Sequence, residues 1–431
     1  MVEIVRWTRK REICDAVLKM ADVTLGLSVC AYTCKMQYGV FFATVSFFLR
    51  VLGCILEDNR TFGGTLNMLW AWFVLTFAVL LYKQNAVHYE PAFAMAYVLS
   101  IALLALPKYV RFSLVLRCVY YFSFFIVVGI WLQYLFPSAF TAIAKYYLSP
   151  TYLQEVLSRR KSGYVTGFTR EVSYSALILV TALGYCAFLR KEKWRYGVCA
   201  VLLATLFITG KKSQPVLALL GVAVVVFMLL KQRKHRLMIA GTIVGGFVLV
   251  LALFPLWKHL PVLSRLAEFV EGVFTGRDLN GLTNGRMRMY ERAIQLWLEN
   301  LWLGIGWVNF RRMGWVPSDP DTHWFKYFDV HNCYLQTLCE TGIIGFVLFM
   351  ALLVWACVML VKNFLCDKKD ANMHFSIYYF VFFVCYAMVE PSLYTDSYLL
   401  LFFMAVAYIC KPRNKKECPF KVYKRGKVGP L

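Results

Sequence analysis

Glu340-Thr341-Gly342-Ile343-Ile344-Gly345-Phe346-Val347-Leu348-Phe349-Met350-Ala351-Leu352-Leu353-Val354-Trp355-Ala356-Cys357-Val358-Met359-Leu360-Val361 places twenty-one uncharged residues after a single glutamate. A bilayer crossing takes about 20 helical residues, so residues 341–361 read as one transmembrane helix. Further apolar runs appear on either side. No water inside a bilayer can satisfy bare backbone, which leaves helices as the spanning structure. The predicted spans are residues 15–33, 40–56, 65–82, 91–106, 113–136, 173–189, 196–209, 214–230, 237–256, 341–361, 374–390 and 396–410. Lys19 and Asp22 interrupt the first, Thr209-Gly210 truncates the seventh, and Asp396 opens the last. The fold class is therefore all-α: a polytopic integral membrane protein of about twelve transmembrane helices, with a large loop between the ninth and tenth. Composition agrees, since 60% of the 431 residues are hydrophobic and the mean hydropathy is +0.58.

Orientation follows from Lys and Arg in the short connections. With the amino terminus inside, the cytoplasmic segments collect Arg6, Arg9, Lys10 and Arg11, the Arg190–Arg195 and Lys231–Arg236 clusters, Lys362, Lys368, Lys369, and the tail from Lys411 to Lys427. The short outer connections hold Lys35, Lys83, Lys211 and Lys212. An odd number of spans before Arg190 would put strongly basic loops on both sides, so charge tests the parity as well as the direction. Both termini are expected in the cytoplasm, and the first apolar run, without a small-residue cleavage pattern, reads as a retained span. The chain divides into spans one to five (1–136), an outer loop (137–172), spans six to nine (173–256), a large outer loop expected to hold the chemistry (257–340), spans ten to twelve (341–410) and a basic tail (411–431).

The net charge of +23 is mostly what cytoplasmic flanks need to bind anionic headgroups, so membrane lipids are partners and nucleic acid is not. The fourteen Cys form no C-x-x-C pair and sit mostly in spans, where a thiol is a small apolar group. Zinc, iron–sulfur and disulfide frameworks are not expected, and no Gly-rich phosphate loop follows a strand. No cofactor or metal is implied.

The outer-face charges carry the functional interest. Arg159-Arg160-Lys161, Gly163 and Gly167-Phe168-Thr169-Arg170-Glu171 lead into the sixth span, whose amino end favours an anion. Arg170 reads as part of a diphosphate-binding lip or as a snorkelling anchor. Lys211 and Lys212 form a two-cation turn on the side where lysine is disfavoured; they read as phosphate-neutralising point charges or as solvated turn residues. Arg286, Arg288 and Arg292 enter an amphipathic stretch with Ile294, Trp297, Leu298 and Leu301 at helical spacing, an expected interfacial helix. Arg286 is fixed behind Asn284-Gly285, whereas Arg288 and Arg292 suit a solvated face. Of the two histidines late in this loop, His323 and His331, only His331 sits in a pattern, and an imidazole there can take a proton from a hydroxyl. A lone histidine is more often structural. Asp329, Glu340 and Glu171 are the alternative bases or orienting partners.

Gly285-Arg286, Trp297, Leu303-Gly304-Ile305-Gly306, His331-Asn332, Leu335-Gln336 and Glu340-Thr341-Gly342-Ile343-Ile344-Gly345 together resemble the signature of the bacterial O-antigen ligase and O-antigen or capsule polymerase family. The resemblance extends to Gly167–Ser173 and Thr209–Ser213. It implies a GT-C-like fold and a metal-independent glycosyltransferase in the bacterial cytoplasmic membrane, with its active site on the outer face. The implied substrate is an undecaprenyl-diphosphate-linked oligosaccharide, and flippase and chain-length regulator proteins are the implied further partners. By position, Arg286 and Arg170 would hold the diphosphate and His331 would assist the attacking hydroxyl, with Glu171 as a further catalytic carboxylate and Lys211, Lys212 and Arg288 as substrate-binding cations. Lys212 departs from the arginine frequent in that turn, which replaces bidentate recognition by point-charge attraction.

Fixed cations in a poorly hydrated site stabilise the charge that develops as a lipid diphosphate leaves. The expected activity is polymerisation of lipid-linked repeat units by inverting transfer, and the alternative is a ligase passing the glycan to another acceptor. A transporter or flippase would bury charges along its spans, but only Lys19, Asp22, Arg50, Arg117 and Asp396 fall within them. A non-catalytic scaffold for envelope assembly is the third class.

Overall fold

The structure is a computed structural model that describes residues 2–34, 36–56, 112–146, 150–161, 163–169, 171–230, 285–307, 309–319, 328–394 and 396–410, with isolated residues between these stretches. Predicted spans 65–82 and 91–106, nearly all of 237–256, and the basic tail lie outside the described residues. Among the described residues every regular element is helical: α1 (Val2–Cys34), α2 (Met36–Leu56), α3 (Phe112–Leu135), α4 (Pro137–Ala144), α5 (Pro150–Lys161), α6 (Val172–Phe188), α7 (Arg195–Ile208), α8 (Ser213–Leu229), α9 (Arg286–Glu299), α10 (Phe310–Met313), α11 (Cys333–Cys366), α12 (Ala371–Tyr386), a 3-10 turn (Ser392–Tyr394) and α13 (Asp396–Cys410). Phe112–Leu135, Val172–Leu189 and Cys333–Cys366 are long and apolar enough to cross a membrane, and shorter apolar helices cover Gln37–Gly53, Arg195–Ile208, Ser213–Leu229 and Leu400–Cys410.

Aromatic side chains on α12 build the centre. Phe375, Tyr378, Tyr379, Phe382 and Phe383 are buried there against α8 and α13, with the Phe383 and Phe402 rings stacked at 3.9 Å. Behind them α6 is buried along nearly its whole length and carries α3 and α7. On the periphery, Val347, Val354, Val358 and Val361 form an exposed stripe on α11 opposite the buried Phe349, Leu353, Ala356 and Leu360. Hydrocarbon is as apolar as a valine side chain, so nothing drives these residues inward. α1 and α2 form an antiparallel hairpin in which the Ser28 hydroxyl donates to the Gly39 carbonyl at 2.8 Å and Arg50 meets Asp22 at 2.5 Å. Eleven described cysteines are free; Cys366, at the far end of α11, is in a disulfide, which the reading of the cysteines does not anticipate.

The predicted span 341–361 is the middle of α11, whose helix starts at Cys333 because Asn332 caps it by accepting the Leu335 amide at 3.1 Å. Gly342, at φ 64° and ψ −170°, kinks this helix. The kink breaks two rungs, leaving the amides of Ile343 and Ile344 and the carbonyls of Cys339 and Glu340 without helical partners. All four are taken up by the preceding loop: Ile343 N donates to Leu301 O (2.8 Å), Ile344 N to Trp302 O (3.3 Å), Ile305 N to Cys339 O (3.0 Å) and Gly306 N to Glu340 O (2.9 Å). Only glycine fits, since a Cβ on residue 342 would lie 2.3 Å from the Trp302 carbonyl carbon and oxygen. The Leu303–Gly306 and Glu340–Gly345 motifs are thus two halves of one clamp.

α12 ends at Tyr386, short of the predicted 374–390, and a turn then carries Glu390 outside the helix. The reason lies in Pro391, which disfavours helix at the residue before it.

Candidate active site

Four connections meet at this end of the bundle. Val165 N donates to Thr209 O at 3.2 Å, which docks the loop before α6 on the α7–α8 turn. Cys333 N donates to Ala387 O at 2.7 Å, which ties the start of α11 to the end of α12. Below, Gln214 Nε2 donates to the hydroxyls of Tyr386 (2.7 Å) and Tyr398 (2.6 Å), and Tyr398 donates to Ser173 O at 2.8 Å. That buried strap links α6, α8, α12 and α13.

At the meeting point stands Glu390. Lys211 Nζ lies 2.7 Å and Arg286 Nη2 3.9 Å from its Oε1, while His331 Nδ1 lies 3.2 Å from its Oε2. Arg286 also donates to Val389 O at 3.2 Å. Side-chain exposures of 13% for Glu390, 17% for Lys211, 23% for His331 and 34% for Arg286 put the cluster at a half-open surface. Burial alone would raise the Glu390 carboxyl, but the Lys211 ammonium and the His331 ring outweigh it and hold the group well below the usual carboxylate range. For Lys211 burial pulls the ammonium down and the Glu390 carboxylate more than restores it, leaving it above an ordinary lysine.

An ionised carboxylate only accepts, so the proton on the His331–Glu390 contact sits on Nδ1. In the neutral imidazole, Nε2 is then the accepting nitrogen. His331 has φ 55°, the one positive φ at a non-glycine among the described residues, a sparsely populated conformation that persists where surroundings enforce it. The enforcing contacts are the Asn332 cap, the Cys333–Ala387 bond, and Tyr290, whose hydroxyl donates to His331 O at 3.4 Å.

The remaining expected residues fall elsewhere. Arg170 lies outside the described residues. Glu171 is at the start of α6, half-exposed, 3.5 Å from Arg159, so its carboxylate faces that arginine, and the carboxylate on His331 is Glu390 instead. Lys212 is half-buried at the amino end of α8, and Arg288 is exposed, roughly 200° around α9 from Arg286 at 100° per residue. α9 carries two apolar stripes: Ile294 and Leu298 are exposed as expected of an interfacial helix, whereas Met289, Ala293 and Leu296 are buried toward α11. Asp329 is bound by Arg311 at 3.0 and 2.6 Å. Glu340, fully buried, accepts from Phe310 N at 3.1 Å and from Gln336 at 3.3 Å. Both acids are thus engaged by framework donors. Among the described residues no group of three or more His, Cys, Asp or Glu gathers that could hold a metal ion.

Glu390 escaped the sequence reading because it was counted as the apolar tail of a span. Its signal was there: an acid at a membrane boundary, costly unless paired, directly before Pro391. No curated protein matches the chain. A family model does, and it takes in Lys211, Arg286 and His331 while leaving Glu390 outside: residues 197–350 match the O-antigen ligase family, the family that the motifs of this sequence resemble.

Proposed function

We propose that the protein is a glycosyltransferase that polymerises undecaprenyl-diphosphate-linked oligosaccharide repeat units at the outer face of the bacterial cytoplasmic membrane. The observation that carries this reading is the convergence of Lys211, Arg286 and His331, from three distant parts of the chain, on one half-open point. Two cations suit a diphosphate, and an imidazole with a free nitrogen suits a hydroxyl.

In the proposed step, the acceptor hydroxyl oxygen bonds to the anomeric carbon from the face opposite the diphosphate. His331 Nε2 takes the hydroxyl proton as the carbon–oxygen bond to the diphosphate breaks. The bond pair goes to the bridging oxygen, whose charge Lys211 and Arg286 stabilise, and the anomeric configuration inverts. Arg170 and Lys212 are proposed to extend the cationic lip. The reading needs no metal ion, so transfer is expected to persist in excess chelator.

A ligase acting on a different acceptor uses the same chemistry, and the match of residues 197–350 to the O-antigen ligase family supports that second reading as well. Purified protein incubated with synthetic undecaprenyl-diphosphate repeat units decides between them. A ladder of products means a polymerase, and transfer only to an added foreign acceptor means a ligase. The absence of any turnover removes both.

A further inference from the structure

Among the described residues, Lys211 and Arg286 share Oε1 of Glu390, while His331 meets Oε2. The two oxygens therefore serve different groups. Any diphosphate that binds Lys211 and Arg286 has to compete with a carboxylate already there. Taking both cations leaves the Oε2–His331 contact intact. The side chain is suited to such a change of partners, because it projects from the turn between α12 and the Ser392–Tyr394 3-10 turn, not from a helix flank. Its backbone is nonetheless pinned, with Glu390 N donating to Tyr386 O at 3.0 Å and Ser392 N to Glu390 O at 2.9 Å.

We propose that Glu390 is a positioning residue that works by ion exchange: its carboxylate holds Lys211 and Arg286 until an anionic diphosphate takes them, and thereafter serves His331 alone. The exchange has two consequences. Diphosphate affinity is reduced by the internal competitor, which also lets the diphosphate product leave after transfer. Once the cations are withdrawn, Glu390 serves the imidazole alone and holds its Nδ1 side, so that Nε2 is aimed at the acceptor hydroxyl when the donor is in place. This inference rests on the reading above that the site takes a diphosphate.

The test is Glu390→Gln in the full-length protein in lipid nanodiscs, which keeps the shape and removes the charge. Binding of inorganic pyrophosphate is expected to tighten by about tenfold, or about 1.4 kcal/mol. KM for a synthetic undecaprenyl-diphosphate repeat unit should fall with it, while kcat drops by roughly a hundredfold, the low end of what a general base contributes. A merely structural glutamate would instead give weaker binding and lower turnover together. Pyrophosphate affinity that is unchanged, weaker, or undetectable in both proteins overturns the proposal. Should Glu390→Gln fail to fold, Glu390→Asp carries the test: the shorter arm spans Lys211 and His331 poorly, so pyrophosphate must bind more tightly than to wild type, and equal or weaker binding is fatal. The two readings fail separately. Wild-type protein inert toward lipid-linked repeat units, with tighter pyrophosphate binding in the variant, sinks the transfer reaction and leaves the exchange standing; normal turnover without that gain does the reverse.

Discussion

Asp22 and Arg50 meet at 2.5 Å with neither side chain exposed, whereas Lys211 and Glu390 meet at 2.7 Å with 17% and 13% left open. Both are carboxylate–cation pairs in an apolar protein, yet their surroundings assign them different work. The first lies between two helices of a hairpin and fixes how α1 and α2 are aligned, a use well attested for buried polar pairs. The second lies among loops at the bundle end, is shared with a second cation and a histidine, and can be reached from outside. A transporter would bury charges along its spans, and Asp22 and Arg50 are two of the few charges that fall within them. The structure pairs those two charges in the interior, so the informative charge is the one that remains open and shared.

Substitutions can break that contrast. The largest effect is expected from Arg286→Ala and His331→Ala, each lowering transfer by at least about a hundredfold while size-exclusion and thermal profiles stay those of wild type. Near-normal rates in either would take that residue out of the site. The opposite signature is expected for Arg50→Leu. Removing the cation from the buried Asp22 carboxylate costs about 3–5 kcal/mol, seen as a fall in melting temperature, whereas the Asp22→Leu/Arg50→Leu double variant recovers most of that loss and keeps transfer activity. Should the double variant lose transfer while remaining folded, the hairpin pair is more than a lock.

Gly342→Ala sharpens the comparison by disturbing the open pair from a distance. The clash with the Trp302 carbonyl and a positive φ together cost on the order of 1–3 kcal/mol, and the displaced start of α11 is expected to lower kcat more than it raises KM. A pH series gives a smaller effect with a defined sign. The Glu390 carboxyl is held below the ordinary 4.5, so the stability it contributes is complete above that pH and lost as pH falls toward its depressed value. The Lys211 ammonium is raised above the ordinary 10.5, so its contribution is complete below that pH and lost only as pH rises through the higher value. Melting temperature should thus be insensitive to this pair from about pH 5 to 10, with an acid limb that Glu390→Gln flattens. The smallest change is expected for Glu171→Gln, since a half-exposed pair with Arg159 contributes about 0–1 kcal/mol; a large loss of transfer would restore Glu171 to the chemistry.

What the sequence made legible was whatever depends on period and spacing. Apolar runs marked α3, α6, α7 and α8 to within a residue or so, because the bilayer imposes length and composition directly. The Arg286 and His331 motifs, far apart in sequence, lie at one corner of the molecule, on either side of Glu390. Three-dimensional pairing was not legible. Leu303–Gly306 and Glu340–Gly345 read as two separate motifs, and only coordinates show the loop Leu301–Gly306 supplying the rungs that the helix lacks. Glu390 was hidden for a related reason: a hydropathy window absorbs one acid into an apolar run, and its partners lie 59 residues away at His331 and 179 at Lys211. Glu171 is adjacent to Arg170 in sequence, and its pairing with Arg159 is visible only in space.

The four bonds that close the gap in α11 have a mechanical consequence. They splice the loop after α9 into the helix that follows His331, and Tyr290 fastens the middle of α9 to the histidine itself. Arg286 and His331 therefore ride on one rigid bracket, while Lys211 belongs to the turn across from it. If the cleft widens or narrows during a catalytic cycle, the gap that changes is between bracket and turn, and the side chain bridging that gap is Glu390.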